Sequence, residues 1–130
     1  MRKTVCFMAM LTLAFVSVLF AQKVDKEGKA WLTQNTAPAE VNVNGIWQSP
    51  EWGEINLIQA QGSNEVTGDG DGWKIDGLVS GKKVFLLFSD KGRVNYSAVL
   101  TAESDSRLVG GYARALIEEK TKTKNMLLTK

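Results

Sequence analysis

Histidine is absent from this 130-residue chain, and cysteine occurs once, as Cys6. Without histidine the chain lacks the side chain that most often serves as a general base near neutral pH and as a metal ligand. Cys6 lies inside an apolar N-terminal run, so beyond that run there is no disulfide, no thiolate nucleophile and no thiolate metal site. An excess of one charge is also missing once the N-terminus is set aside. Arg2 and Lys3 are two of the 16 basic residues, and none of the 14 acidic residues precedes Asp25. The remaining chain is therefore electrically balanced, which argues against a nucleic-acid partner, since such partners need a basic footprint. No long-period repeat and no low-complexity tract interrupt the sequence.

Residues 1–21 have the layout of a secretory signal: Arg2 and Lys3, an almost wholly apolar run from Val5 to Phe20, then the small residue Ala21. An uncleaved anchor is the alternative, although the run is a little short of the roughly 20 residues a spanning helix needs. No lipid-attachment cysteine stands at the junction. The expectation is an exported protein, periplasmic or extracellular, with no membrane association of the mature chain. Residues 22–41 read as a flexible N-terminal spacer, with mixed charges from Lys23 to Lys29 and a polar, turn-prone stretch from Gln34 to Pro38. Trp31 and Leu32 are its exceptions. They suit one helical turn, packing on the outside of the following domain or plugging one of its ends.

Residues 42–130 have a different rhythm. Short apolar runs alternate with Gly/Asn/Asp/Ser turns, which predicts strands over Val43–Gln48, Glu54–Gln61, Asn64–Gly70, Trp73–Val79, Lys83–Ser89, Val94–Thr101, Arg107–Ala115 and Lys124–Thr129. The fold class is all-β: an eight-stranded antiparallel up-and-down meander closing into a small barrel, preceded by a signal peptide and a spacer. Closure removes the sheet edges that invite aggregation, which matters for an exported domain without disulfides. Ala113 to Lys122 also contains good helix formers; a long seventh strand followed by a loop is preferred. Alternation puts Trp73, Ile75 and Val79 on one face, and likewise Val94, Tyr96, Ala98 and Leu100. Val84 to Phe88 breaks the pattern, being apolar on both faces, so either Phe85 and Leu87 or Val84, Leu86 and Phe88 point outward. Such a strip needs a cover. Phe85, Phe88 and Trp31 are accordingly the candidate interface residues, with the N-terminal arm or a second copy as the cover.

Gly45-Ile46-Trp47 at the start of the first strand, followed by a β-meander, resembles the opening of the avidin and lipocalin (calycin-type) barrels. That resemblance implies an eight-stranded barrel with Trp47 packed across one end of the interior. In size the chain is closer to an avidin. The biotin pocket does not carry over: Ser49 and Glu54 are the nearest occupants of the Asn and Ser positions that hydrogen-bond the biotin head group, and a carboxylate there would oppose the urea carbonyl.

Several local patterns invite chemistry and fall short. Asp69-Gly70-Asp71-Gly72 with Asp76 has the look of a calcium loop, but Trp73 stands where a further oxygen ligand belongs. Gly77 to Lys83 resembles a phosphate loop with too few residues between its glycines and no helix after it. Asn95-Tyr96-Ser97 is a glycosylation sequon, meaningful only in a eukaryotic secretory route. Glu51 and Glu54 flank Trp52 as glycosidase carboxylates flank a cleft, with nothing in the sequence to set them across one. No catalytic residue, metal site or cofactor is expected. The four tryptophans are more informative. Trp47 and Trp73 fall on inward positions, and Trp52 stands in a turn, where an aromatic suits a ligand or partner contact. The candidate ligand-binding residues are Trp52, Tyr96, Tyr112 and Gln59, though small barrels are commonly filled by just such side chains. The expected function is a non-enzymatic barrel that binds a small apolar or amphipathic ligand at one mouth. The alternative is a protein-interaction module, an inhibitor or envelope-assembly component, with a filled interior and rim loops or the Val84–Phe88 strip as its surface.

Overall fold

The computed structural model describes residues 26–34 and 36–130. The expected signal segment, residues 1–21, lies outside the described residues. One short helix, α1 (Lys26–Leu32), precedes strands β1 (Gly45–Ser49), β2 (Gly53–Ile58), β3 (Glu65–Gly70), β4 (Trp73–Ser80), β5 (Lys83–Asp90), β6 (Arg93–Ser104), β7 (Arg107–Arg114) and β8 (Lys124–Thr129). The strands form a closed barrel in sequence order, every neighbouring pair antiparallel. Turn chemistry explains the connections. The β3–β4 turn has Asp71 at φ 51° and Gly72 at φ 81°, and the β5–β6 turn has Lys91 at φ 53° and Gly92 at φ 80°. Two successive positive φ values twist a tight hairpin in the sense the strands require. The acidic Asp69–Gly72 stretch is thus a hairpin turn. No helix forms over Ala113 to Lys122.

Inward side chains fill the barrel. Trp47, Ile55, Ile75, Val84, Leu86, Phe88, Leu100, Leu108 and Leu128 belong to one core cluster and are essentially inaccessible to solvent. The strands pack closely enough that glycine is required at two crossings. A Cβ at Gly68 would lie 2.0 Å from the carbonyl oxygen of Asn56, and one at Gly110 2.0 Å from that of Val99. One expectation about facing fails. Val94 and Tyr96 do not share a face: Tyr96 packs against the interior cluster, and Val94 against a second cluster outside. The register shifts between Phe88 and Ser89, so that Phe88 pairs with Tyr96 but Ser89 with Val94. Asn95 is the extra residue, and a β-bulge of this kind reverses the alternation on either side of it.

The described part of the expected flexible spacer is ordered by specific contacts. Residues 36–44 run across the barrel end formed by the start of β1 and the end of β2. Ala39 bridges to Gly81, the Glu40 amide donates to Gly81 O at 2.9 Å, and the Gly81 amide donates to Pro38 O at 3.1 Å. Gln59 locks this arm in place. Its Oε1 accepts from the Val43 amide at 2.8 Å, and its Nε2 donates to Ser63 O at 2.8 Å. Nearby, Trp47 Nε1 donates to Val43 O at 2.8 Å. The β1–β8 seam is thin, with Gln48 opposite Thr129 as its one register pair. Side chains reinforce it: Lys130 Nζ donates to Asn44 O at 2.9 Å and lies 4.8 Å from the Trp47 ring centroid, and Glu51 Oε1 accepts from the Leu127 amide at 3.3 Å.

The two-sided apolar strand β5 also resolves. Val84, Leu86 and Phe88 point inward, whereas Phe85 and Leu87 point outward. The outward pair is covered by Trp31 and Leu32 of α1 together with Leu116 and Ile117. Trp31 meets Phe85 edge-on at 5.6 Å, and its Nε1 donates to Ile117 O at 2.8 Å. The described residues thus supply a cover from the chain itself. Removing that indole uncovers Phe85 and leaves a void, so Trp31→Ala is expected to lower stability by about 2–4 kcal/mol. The check is a fall in urea midpoint relative to Trp31→Phe, which keeps the ring contact.

Candidate functional site: an aromatic barrel mouth

The opposite end of the barrel is closed by rings. The β1–β2 turn is tightened by Ser49, whose Oγ accepts from the amides of Glu51 at 3.2 Å and Trp52 at 3.1 Å. Gly53 follows at φ 73°. This geometry folds Trp52 back over the mouth instead of releasing it to solvent, and it is buried. Its ring stacks on Phe88 at 4.4 Å with an interplanar angle of 20°. Tyr96 at 5.2 Å, Tyr112 at 5.3 Å and Trp73 at 6.2 Å meet it edge-on. Edge-to-face and offset-stacked rings are the favoured arrangements of aromatic quadrupoles, and such pairs contribute beyond their area burial.

The structure therefore brings together three of the candidate ligand-binding residues, Trp52, Tyr96 and Tyr112. It adds Trp73 and Phe88, and it sets Gln59 apart at the other end, holding the arm. Of the candidate interface residues, Trp31 and Phe85 meet on the outer face, and Phe88 lies inside beneath Trp52. Sequence reasoning passed over Arg114 and met Asn95 only as part of a glycosylation sequon. With Trp73 and Tyr96 they line an open recess of about 250 Å³ beside the mouth. The guanidinium carbon of Arg114 stands 6.0 Å from the Tyr96 ring centroid, and no carboxylate among the described residues pairs with it. Arg114 lies directly opposite Tyr96 in the β6–β7 register, a pairing that only the folded strands reveal.

Two buried side-chain polar atoms among the described residues have no hydrogen-bond partner, Trp52 Nε1 and Asp76 Oδ2. An unpaired buried donor or acceptor costs about 1–3 kcal/mol, so each is a point where a ligand or a rearrangement would be favourable. The Trp52 donor lies in the aromatic mouth. Asp76 lies elsewhere, on the outward side of β4, opposite Thr67 and Leu87. Burial pushes its carboxyl above the ordinary carboxylate range, and nearby Lys74 pulls it partway back. Glu51 and Glu54 are both exposed, and Glu51 is engaged at the seam.

No protein-family model, curated protein or solved structure matches the chain. What it has in common with avidins and lipocalins is the eight-stranded antiparallel closed barrel.

Burial raises the Asp76 carboxyl above its ordinary range, with nearby Lys74 acting the other way. The folded state holds this proton more tightly than the unfolded state does, so the penalty exists while Asp76 is ionised at neutral pH. It fades as pH falls through the folded value. Urea midpoints of the parent and Asp76→Asn should therefore differ most, in favour of Asn, near neutral pH, and converge on acidification. A gap that widened on acidification would contradict the assignment.

Proposed function

We propose that the protein is an exported, non-enzymatic binding barrel that takes a small amphipathic ligand at the aromatic mouth, above a filled interior rather than within it. The observation that carries this reading is the convergence of Trp52, Trp73, Phe88, Tyr96 and Tyr112 at one rim around an indole N–H that has no partner. Aromatic walls supply apolar burial, and a few polar groups fix orientation. The ligand's apolar part would lie against the Trp73 and Tyr96 rings. An anionic end would face Arg114, and an acceptor would reach the Trp52 N–H, which is shut off from solvent, only once the mouth rings part. The N-terminal segment 1–21, with its basic start and apolar run, supports export.

The packed interior favours a second reading, a protein-interaction module. On that reading the rim loops are the working surface, because the outward Phe85–Leu87 strip is already occupied by α1 and the 116–117 loop.

An anionic aromatic probe, 1-anilinonaphthalene-8-sulfonate, tests the mouth. Saturable binding that quenches tryptophan emission is expected, with Arg114→Gln and Tyr96→Ala each weakening it about tenfold, equivalent to roughly 1.4 kcal/mol. Urea midpoints of the variants guard against binding to a loosened fold. Probe binding unaffected by both substitutions would overturn the reading. Concentration-dependent self- or hetero-association through the rim, without probe binding, would favour the interaction module.

A further inference from the structure

Asp76 and the helix above it define a second cavity, independent of the aromatic mouth. It measures about 200 Å³ and is lined from α1 and its end by Lys29, Leu32 and Thr33, from β3 by Glu65 and Thr67, and from β4 by Asp76 and Leu78. We propose that this cavity is a binding site for a small organic cation, a short alkylammonium, whose charge lies against Asp76 and whose chain lies between Leu32 and Leu78.

The balance of groups favours a cation. Asp76, itself half-buried, lines the cavity, and its Oδ2 has no hydrogen-bond partner and almost no exposed surface. Glu65 adds a second carboxylate, exposed at the cavity's edge. The hydroxyls of Thr33 and Thr67 are further acceptors. An ammonium has three donors and no acceptor, so it matches a site rich in acceptors. The two lysines that face Asp76, Lys29 across the cavity and Lys74 along the strand, form no ion pair with it. A carboxylate held away from water gains more from a cation than an exposed one does. Asp76 is half-buried, and that burial raises its carboxyl above the ordinary range. The volume admits a short alkyl chain.

The site is tested on the full chain with propylammonium, and with propanol and propionate as neutral and anionic controls. Carboxyl ¹³C shifts of Asp76 and amide shifts of β3, β4 and α1 are the readout at neutral pH and low salt. The expected result is saturable perturbation by propylammonium alone, with the apparent pKa of Asp76 moving down as the cation binds. Asp76→Asn should weaken binding at least about tenfold. Lys29→Gln removes a competing internal ammonium and should leave binding equal or tighter, while the mouth variant Arg114→Gln leaves it unchanged. The proposal is overturned if propylammonium causes no saturable shift up to about 50 mM, a range that detects even millimolar affinity. It is also overturned if propanol binds as well, or if Lys29→Gln destabilises the parent but not Asp76→Asn, since Asp76 would then serve Lys29. The ¹³C readout on the parent protein decides the matter without recourse to any variant.

Discussion

The inward row of side chains on eight closed strands is the constraint from which the rest of this molecule follows. A barrel of this size has room for its own residues and little else, and Trp47, Ile55, Ile75, Leu86, Phe88, Leu100, Leu108 and Leu128 take that room. Burial of this apolar surface, at roughly 25 cal/mol per Å², is the main term opposing the chain entropy lost on folding. Histidine and disulfide chemistry contribute nothing to the barrel. Once the interior is committed to packing, recognition moves to the rims and to the outer face.

The two barrel ends differ chemically because they are closed by different means. One end is sealed by backbone, the 36–44 arm, and its buried polar groups are satisfied: Gln59, Val43 and Trp47 exchange hydrogen bonds within a single network. The other end is sealed by rings alone. Trp52 meets its neighbours through ring faces and edges, and its indole N–H has no hydrogen-bond partner there. The first end is built for stability. The second keeps an unmet polar demand beside a free guanidinium, which is the combination a ligand site uses.

Strand β5 carries a core on each face. Phe88 and its alternating neighbours anchor the interior, and Phe85 and Leu87 anchor the outer cluster under α1. A helix of seven residues has little stability of its own and persists here through its apolar face. Trp31 ties that helix both to Phe85 and to the backbone of the loop after β7. Leu32 and Thr33 at the end of the same helix line the recess that Asp76 borders, so the cover over one apolar strip also forms one wall of that recess.

Local sequence determined a great deal. Turn residues such as Asp71-Gly72 and Lys91-Gly92 mark where the chain must reverse, because few residue pairs accept two positive φ values. The spacing between them set strand number, order and most of the alternation. The two-sided strand β5 announced that something must cover it. Tertiary structure alone decided the rest. A single bulge at Asn95 sent Val94 outward and Tyr96 inward, and a one-residue slip leaves no trace in apolar periodicity. Gln59 and Trp52 lie at opposite ends of β2, so their roles separated only when the barrel had a top and a bottom. Arg114 joined the mouth through cross-strand register, and Asp76 came to share a recess with a helix far from it in the chain. Periodicity is a property of neighbours along the chain; a site is made by neighbours across it, and only closure of the barrel brought these together.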